Sequence, residues 1–523
     1  MSIHFDESPT LYWLIGYALA ILLAVGWWKL PQKNKSWILF FGGMALLLWM
    51  RLPVLVFNQE IDPDESQMLA HALTLRYDPI YWKFVDGQTI GPLDSYFLLL
   101  PSWFGFDLDY TSARIMGMVC ILGSLFFFYR SARLLIGQET AWGGILPVLI
   151  FLTFIQEGDF VHYSSEQLAL LFLNIALWLY LRQAERPQIK DWFLIGFFLG
   201  LLPFCKLQSV PLGLVLGLFA LYKCFYVHRN RWGSVLALIG GGVAFPLVVL
   251  AWVFHYELWD DFWTFYIQGN LVYAGGLGFW ENVQNALGFV KASPGFTLYC
   301  ISLIPILVMG IRNFTFGSNA LLAIFWVFVA LYSILKTGNI FPHYLHFLLY
   351  PLLFLALVLS QTSSFKTKRL VGLWISLLWG GWLLYQKWDN QPWNRYVSSE
   401  TSVPMSRVSQ LILQHASPPD RMTIWGWRSK YHVETQLPQG AAEAHTERCI
   451  YDHPLRKQYY HRYLKDLREK QPKIFIDAVG PQSLWVQDRA TQGHEVYPEL
   501  KSWVETHYQF VGEVDFTRVY VRR

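Results

Sequence analysis

The stretch FNQEIDPDES, residues 57–66, marks the point where a long apolar run ends and an acidic segment begins. It holds four carboxylates within six positions, namely Glu60, Asp62, Asp64 and Glu65. The order Asp62-Pro63-Asp64 is typical of a helix start. Asp is a favourable N-cap, Pro fits the first helical position, and acids interact well with the positive end of the helix dipole. We therefore predict that Asp62 caps a helix and that Asp64 and Glu65 lie on its first turn.

Helix capping and a functional role can both apply to this acidic stretch. Ionisable side chains at a membrane boundary are costly to keep there and commonly have a function. A cap accounts for Asp62. Asp64 and Glu65 then remain at the start of the helix, where the dipole favours the ionised carboxylate that a base or a metal ligand needs. The sequence thus predicts a candidate site at Asp64 and Glu65 beside a structural cap.

The composition is that of a membrane protein. Of the 523 residues, 54% are hydrophobic, 18% are aromatic and only 15% are charged, whereas a soluble domain has about a quarter charged residues. The net charge of +4 is too small to indicate nucleic acid as a partner. The five cysteines include no CxxC pair, so neither a disulfide framework nor a zinc knuckle is predicted.

Apolar runs long enough to cross a bilayer recur as far as residue 386. Clusters of basic residues follow alternate runs, for example Arg130 with Arg133 and Lys366 with Lys368. All these clusters lie on one side if every run crosses, and by the positive-inside rule that side is the cytoplasm. We predict about twelve spans, at 10–30, 36–57, 110–136, 141–156, 166–183, 191–205, 209–227, 233–256, 295–312, 318–336, 343–361 and 369–386.

This topology places the loop 58–109 and the C-terminal segment on the extracytoplasmic face. Within the loop, residues 66–77 and the aromatic run after Gly91-Pro92 favour two helices that lie in the membrane interface. The expected protein is mainly α-helical, and it crosses the inner or plasma membrane many times. Its membrane domain covers residues 1–386.

The composition changes after residue 386, where charges, histidines and prolines replace the apolar runs. Residues 387–523 are numerous enough for a core of their own and predict a small soluble extracytoplasmic α/β domain. Its expected elements are buried strands at 422–427 and 472–477, helices at 455–470 and 498–508, and an edge strand at 516–521.

Polar side chains stand at the predicted outer ends of several spans. Asp159, His162 and Glu166 have i, i+3, i+7 spacing, which on a helix puts them on one face and indicates a candidate metal site. A hydrogen-bonded helix cap is the alternative explanation. Lys206 ends an otherwise apolar span, so it either binds a lipid phosphate at membrane depth or snorkels to the headgroups.

The two interpretations given for Lys206 also apply to Arg114, His343 and His346. Arg114 opens the third predicted span, and the two histidines are three positions apart at the start of the eleventh. Each is either a ligand for a lipid phosphate or a side chain that lines the interface. No nucleotide-binding loop, serine-hydrolase elbow or zinc-protease motif is present where it would matter.

Together these features resemble the C-type (GT-C) membrane glycosyltransferases, especially the branch of protein O-mannosyltransferases and lipid A aminoarabinose transferases. As in that family, an Asp-Glu pair (Asp64-Glu65) follows a span and heads a juxtamembrane helix. The resemblance covers roughly residues 50–385, and residues 421–523 resemble the outer-face domain of many bacterial members. One extra span at the start and Gly91 in place of a basic residue depart from the family. Further similar segments are Gly91-Pro92-Leu93, Ser112-Ala113-Arg114-Ile115, Ala132-Arg133-Leu134-Leu135-Ile136-Gly137, Tyr163-Ser164-Ser165-Glu166 and Pro342-His343-Tyr344.

The resemblance implies an inverting transfer of a sugar from a polyprenyl-phosphate donor in the membrane lipid to an acceptor lipid, glycan or protein on the outer face. It implies that Asp64 is the base and that Glu65 orients it or helps to hold a divalent ion. Whether a metal cofactor is needed stays open. The donor phosphate would be bound by Lys206, Arg114, His343 and His346, and a metal by His162, Glu166 and Asp159.

The alternative function is that of a polyprenyl-lipid or glycolipid transporter or flippase without transferase chemistry. The same charged residues would then line a translocation path. Transporters bind their substrates near the bilayer midplane, whereas the charges here lie at span ends on one face. The sequence therefore favours the enzyme.

Overall fold

The structure is a computed structural model that describes residues 5, 8–29, 32–226, 231–275, 278–311, 317–361, 374–375, 378–382, 385, 395–397 and 402–523. The chain forms two compact units, each made of three separate segments. The first unit comprises Met1–Phe57, Gly117–Leu250 and Gly276–Ser399. The second comprises Asn58–Met116, Ala251–Gly275 and Glu400–Arg523. The expected separate domain at residues 387–523 stays a prediction.

Helices account for most of the described chain up to residue 361. In chain order they are α1 (Pro9–Lys29), α2 (Gln32–Val56), α3 (Pro63–Tyr77), α4 (Pro92–Leu98), α5 (Leu100–Trp103), α6 (Tyr110–Ile136), α7 (Ala141–Phe154), α8 (Gly158–Val161), α9 (Glu166–Arg182), α10 (Ile189–Leu201), α11 (Val210–Tyr226), α12 (Arg231–His255), α13 (Trp259–Asp261), α14 (Gly269–Tyr273), α15 (Phe279–Ala292), α16 (Pro294–Ile311), α17 (Ser318–Leu335) and α18 (His346–Leu359). Short 3-10 turns occur at Leu202–Phe204, Leu207–Ser209 and Pro342–Leu345, and a π-helix occupies Phe262–Gln268.

In the described part of the chain, seven helices are long and apolar enough to cross a membrane. An eighth crossing results if the pair Trp280–Ala292 and Pro294–Val308, bent by 97°, counts as one span. The predicted number of twelve is therefore not confirmed. Three of the predicted spans form the shorter helices α7, α9 and α10, of 14, 17 and 13 residues, whereas a crossing needs about 20 residues. The last predicted span, 369–386, lies largely outside the described residues.

Helices α10 and α12 of the first unit pack closely because glycines lie at their contact. A Cβ atom at Gly196 would lie 2.0 Å from the carbonyl oxygen of Leu238, and one at Gly241 would lie 2.0 Å from that of Phe193. Any side chain at either position would force the two backbones apart. Small residues at helix contacts are common in membranes, where close van der Waals packing drives association.

The C-terminal segment of the second unit is built on a four-stranded sheet with strand order β1-β2-β4-β3. Strands β1 and β2 are parallel, and the other neighbouring pairs are antiparallel. Apolar residues on both faces of the sheet pack into buried clusters. Its elements are α19 (Arg407–Leu413), β1 (Met422–Trp425), α20 (Lys430–Thr435), α21 (Glu447–Ile450), α22 (Arg456–Lys470), β2 (Ile474–Asp477), α23 (Arg489–Gln492), α24 (Pro498–His507), β3 (Tyr508–Val514) and β4 (Thr517–Arg522).

The predicted edge strand at 516–521 is wrong in one respect. Strand β4 lies inside the sheet, and β3, which was not predicted from the sequence, forms one of its two edges. Strand β3 starts immediately after α24 ends, and its apolar residues are interrupted by Gln509, Gly512 and Glu513, so it lacks the apolar run that identified the other strands. Its pairing with β4 shifts register between Phe510 and Gly512.

Helix α3 does not lie with an apolar face in the membrane interface, contrary to the prediction for residues 66–77. Its residues from Glu65 to Leu75 are buried within the second unit, where it packs against α4 and α20. The backbone N–H of Gln439 donates to Thr74 Oγ1 at 2.9 Å and ties α3 to the C-terminal segment. On α5 and just after it, by contrast, Trp103 and Phe104 are 73% and 77% exposed, and their contact with the membrane interface stays a prediction.

Candidate active site

The first turn of α3 has the cap that the sequence predicts. Asp62 has extended backbone angles, and its side chain accepts a hydrogen bond of 2.9 Å from the backbone N–H of Asp64. Pro63 occupies the first helical position. The cap prediction for Asp62 is confirmed, and Asp64 lies half-buried on the first turn.

Glu65 is fully buried in an ion pair with Arg114, which lies on the first turns of α6. Arg114 Nε donates to Glu65 Oε1 at 2.8 Å and Nη2 donates to Glu65 Oε2 at 2.6 Å, so both carboxylate oxygens are engaged. The same Nη2 donates to the carbonyl oxygen of Gln59 at 2.6 Å. Arg114 therefore fixes the segment on both sides of Asp62. The sequence analysis assigned it to the donor phosphate, and that role stays a prediction.

A second network surrounds this turn, and the sequence analysis did not assign it. Ser66 Oγ donates to Glu60 Oε1 at 2.5 Å and lies 2.9 Å from the hydroxyl of Tyr110. The other oxygen of Glu60 lies 3.7 Å from Arg428 Nη1. Burial raises the pKa of Glu60 above its ordinary value, against the opposing effects of Ser66 and Arg428. The acidic stretch itself was the available signal, but its partners lie far away in the sequence.

The first unit holds a second group of buried polar side chains. Lys206 Nζ lies 2.6 Å from Glu166 Oε1 and donates to Ser165 Oγ at 2.8 Å. Glu166 is the first residue of α9 and is fully buried, and Lys206 is 3% exposed. The Lys206 ammonium also lies 5.3 Å from the ring centre of Tyr344. Lys206 is therefore held inside the protein by a specific carboxylate.

Two predicted phosphate ligands, His343 and His346, lie in the same group through Asp159. Asp159 Oδ1 accepts a hydrogen bond of 3.1 Å from the backbone N–H of His343 and lies 3.3 Å from His343 Nδ1. His346 Nε2 lies 3.3 Å from the carbonyl oxygen of Asp159. Burial acts to raise the pKa of Asp159, but the hydrogen bonds and positive charge of His343 outweigh it, so that this pKa is lowered.

Asp159, His162 and Glu166 do not share a helix face, so this part of the metal prediction is wrong. Helix α8 ends at Val161 and α9 begins at Glu166, so the chain turns between Asp159 and Glu166. His162 is buried, and its ring centre lies 6.2 Å from that of His343. The structure thus brings the predicted metal residues together with Lys206, His343 and His346. The assignment of a metal ion to them stays a prediction.

Within the described residues, one group of three side chains brings its potential ligand atoms within 4.8 Å of one another, namely Asp477, His494 and Glu495 at the end of β2. His494 Nδ1 lies 2.5 Å from Asp477 Oδ2. Arg489 lies 3.1 Å from the same Asp477 oxygen, and Arg518 pairs with Glu495. Two guanidinium groups thus balance the two carboxylates, so the geometry is that of an ion-pair network.

Comparison with known proteins identifies the fold. A family model described as dolichyl-phosphate-mannose-protein mannosyltransferase matches residues 96–252. The crystal structure of ArnT from Cupriavidus metallidurans in the apo state is similar over 94% of this chain and 98% of that chain, with a TM-score of 0.56 and 14% sequence identity. This chain has the fold of a GT-C glycosyltransferase.

The resemblance inferred from the sequence is confirmed at the level of the GT-C fold. The apolar helices and the likeness to ArnT also support a multi-pass membrane protein. The crystal structure of the oligosaccharyltransferase of Archaeoglobus fulgidus, in complex with Zn and sulfate, aligns over 92% of this chain and 73% of that chain. The sequence identity is 12% and the TM-score is 0.42. A TM-score this low supports no assignment of fold or function. No curated protein sequence matches the chain.

Proposed function

We propose that this GT-C protein transfers a sugar from a polyprenyl-phosphate donor to an acceptor on the extracytoplasmic face, with inversion at the anomeric carbon. The observation that carries the proposal is the division of roles on the first turn of α3. Asp62 serves as the helix cap and Glu65 as the buried partner of Arg114, while Asp64 lies half-buried beside them on the same turn. The similarity to a mannosyltransferase family and to ArnT supports the class of reaction.

Asp64 acts as the general base in this mechanism. It takes a proton from the acceptor hydroxyl or amine as the acceptor attacks the anomeric carbon. The bond from that carbon to the phosphate oxygen breaks, and the polyprenyl phosphate leaves with the electron pair. The transition state resembles an oxocarbenium ion, as in glycoside hydrolysis by inversion. The Glu65–Arg114 pair and the Asp62 cap hold the first turn, so that the base is positioned in advance.

Donor binding is a separate proposal, and it concerns the polar group of the first unit. Lys206, His343 and His346 offer N–H donors of the kind that recognise a phosphate. Lys206 is 2.6 Å from Glu166, so a donor phosphate would either replace this carboxylate or bind beside it. Glu65 is fully engaged by Arg114, and its proposed role is to position the turn rather than to hold a divalent ion.

The decisive experiment replaces Asp64 with Asn. Loss of a positioned base costs about 10²–10⁴ in rate, and Asn keeps the size of the side chain. We expect Asp64→Asn to lose transfer from a polyprenyl-phosphate sugar by that factor while its melting temperature stays near that of the unaltered protein. Transfer and melting are measured on the same purified samples.

Asp62→Ala is the matched control, because it removes a neighbouring carboxylate whose role is structural. It should keep much of the activity and lower the melting temperature. Full activity in Asp64→Asn would refute the mechanism and favour the transporter or flippase alternative.

A second experiment tests Lys206 as a ligand of the donor phosphate. A hydrogen bond to a charged group contributes about 1.5–3 kcal/mol, so Lys206→Ala should weaken donor binding about 10–100-fold. Lys223→Ala is the matched control, since Lys223 is also buried in the first unit and lies 3.7 Å from the ring centre of Tyr180. Equal donor affinity in the two variants would show that Lys206 does not bind the donor phosphate and that its role is structural.

A further inference from the structure

The second unit contains a cavity with a volume of about 780 Å³. It is lined by three parts of the unit: the turn at Trp82–Phe84, the segment from Tyr256 to Phe265, and helix α22. The volume falls within the range of about 300–1,000 Å³ that is usual for small-molecule sites. Asp62, Asp64 and Glu65 are not among the residues that line it, so the cavity is distinct from the proposed base.

Two kinds of unusual backbone meet at this cavity. Trp82 and Glu257 both adopt left-handed conformations, with φ of 67° and 56°, which residues other than glycine rarely do. The π-helix Phe262–Gln268 contributes Thr264 and Phe265 to the lining. π-helices are rare and often occur at functional sites. Residues with strained backbone angles also cluster at ligand-binding sites.

The surroundings hold this backbone in place. The ring of Trp82 is 2% exposed and packs edge-on against Phe262, with 4.9 Å between ring centres. The guanidinium of Arg462, on α22, lies 3.3 Å from the ring centre of Phe265. Arg462 in turn pairs with Asp86 and, at 2.5 Å, with Glu443. The wall of the cavity is therefore formed before any ligand arrives.

The lining combines aromatic rings with charges of both signs. Four aromatic residues border the cavity, together with five carboxylates and four cationic side chains. On α22, Lys465 and Glu469 form an exposed pair with 4.0 Å between Nζ and Oε1. In the segment from Tyr256 to Phe265, partial burial raises the pKa of Asp261 above its ordinary value. A lining so close to charge balance does not select a strongly charged ligand.

A hydroxyl-rich ring fits this combination. The C–H faces of a sugar would pack on Phe84 and Tyr256, which are partly exposed, since Trp82 and Phe265 are buried, while its hydroxyls donate to carboxylates and accept from ammonium and guanidinium groups. We propose that this cavity is a saccharide-binding site of the second unit. Binding there requires no transfer chemistry and is independent of Asp64.

The test measures saccharide binding by ligand-observed NMR on the full chain in nanodiscs, with maltose, cellobiose, chitobiose and a glucosamine disaccharide as probes. The test variant is Lys465→Gln/Glu469→Gln, in which the exposed pair beside the cavity is removed without a change in net charge. The matched control is Lys501→Gln/Glu505→Gln, which removes an equivalent i, i+4 pair on α24 away from the cavity. Both pairs are exposed, so neither change threatens the fold.

We expect at least one disaccharide to bind, with affinity at least about tenfold weaker in the cavity variant, a difference of about 1.4 kcal/mol, and unchanged in the control. Binding should persist in Asp64→Asn, which keeps this result separate from the test of transfer. The proposal is overturned if none of the four disaccharides binds, or if the two double variants bind equally well. It is also overturned if glycerophosphoethanolamine binds at the cavity and the disaccharides do not, which would indicate a lipid headgroup site.

Discussion

Two of the buried ion pairs in the described part of the chain, Glu65–Arg114 and Glu166–Lys206, use the same charges with different geometry. In the second unit, Arg114 engages both oxygens of Glu65, and both side chains are fully buried. In the first unit, Lys206 approaches one oxygen of Glu166 at 2.6 Å and also binds Ser165. A planar guanidinium fixes a carboxylate in one orientation, whereas an ammonium is a point charge that can exchange one anion for another. The arginine pair suits positioning, and the lysine pair suits ligand binding.

The largest expected effect comes from removing the carboxylate of each pair. Breaking a buried ion pair costs about 3–5 kcal/mol, because the remaining charge is left without compensation. Glu65→Gln should therefore lower the free energy of unfolding by about this amount. Glu166→Gln should cost less, since the Lys206 ammonium keeps Ser165 and the face of Tyr344.

Thermal unfolding of the two single variants, and of Glu65→Gln/Arg114→Gln, measures this difference. The double variant should be less than additive because the two side chains interact directly. If Glu166→Gln lowers the free energy of unfolding by as much as Glu65→Gln or by more, the lysine pair is at least as rigid as the arginine pair. The contrast drawn between the two pairs would then be wrong.

A smaller effect should appear on acidification, because the second unit buries histidines without a carboxylate partner in direct contact. Desolvation lowers the pKa of His71 to about 3 and that of His432 to about 4. In the unfolded chain each histidine has its ordinary pKa of about 6.5. Below that pH the unfolded chain therefore binds more protons than the folded protein does. Stability is full above pH 6.5 and falls toward the folded pKa, by about 1.4 kcal/mol per pH unit for each histidine.

Melting temperatures at pH 7.5, 6.5 and 5.5 check this prediction. The unaltered protein should lose stability between the last two, by about 1 kcal/mol per histidine, and the loss should be smaller in His71→Asn and in His432→Asn. His461→Asn, at an exposed position of α22, is the control. A pH dependence that is the same in all four proteins would place the acid-sensitive groups elsewhere, for example at Asp159 and its histidines.

The smallest effect is expected at the helix cap. Asp62→Ala removes the acceptor for the Asp64 N–H and should cost about 1 kcal/mol. Asp62→Asn keeps a side-chain oxygen and should cost less. Melting of the two variants side by side distinguishes a lost cap from a lost charge, and equal destabilisation would point to the charge.

The sequence predicts the local parts of the fold and of the site well. The order Asp62-Pro63-Asp64 specifies a cap whose partners are neighbours in the chain, and the predicted run 110–136 coincides with α6. Such features depend on residues a few positions apart. All five segments predicted after residue 420 also form, with bounds shifted by a few residues, although the last of them lies inside the sheet.

Contacts between distant residues could not be predicted in this way. Glu65 and Arg114 are 49 positions apart, and each alone has a plausible role as a ligand. The buried location of α3 depends on its packing against α20, about 360 positions later. Likewise, the turn between Asp159 and Glu166 replaces the assumed helix, yet it still brings both residues beside Lys206 and His343.

The register shift in β3 has a consequence for association between molecules. An outer strand presents unpaired N–H and C=O groups, with which a strand from another chain can pair. The shift between Phe510 and Gly512 interrupts the regular spacing of these groups in the middle of β3. A foreign strand can therefore pair with only a short part of this edge. Phe510 is 52% exposed, and the irregular backbone beside it makes a continuous intermolecular sheet at this edge less favourable.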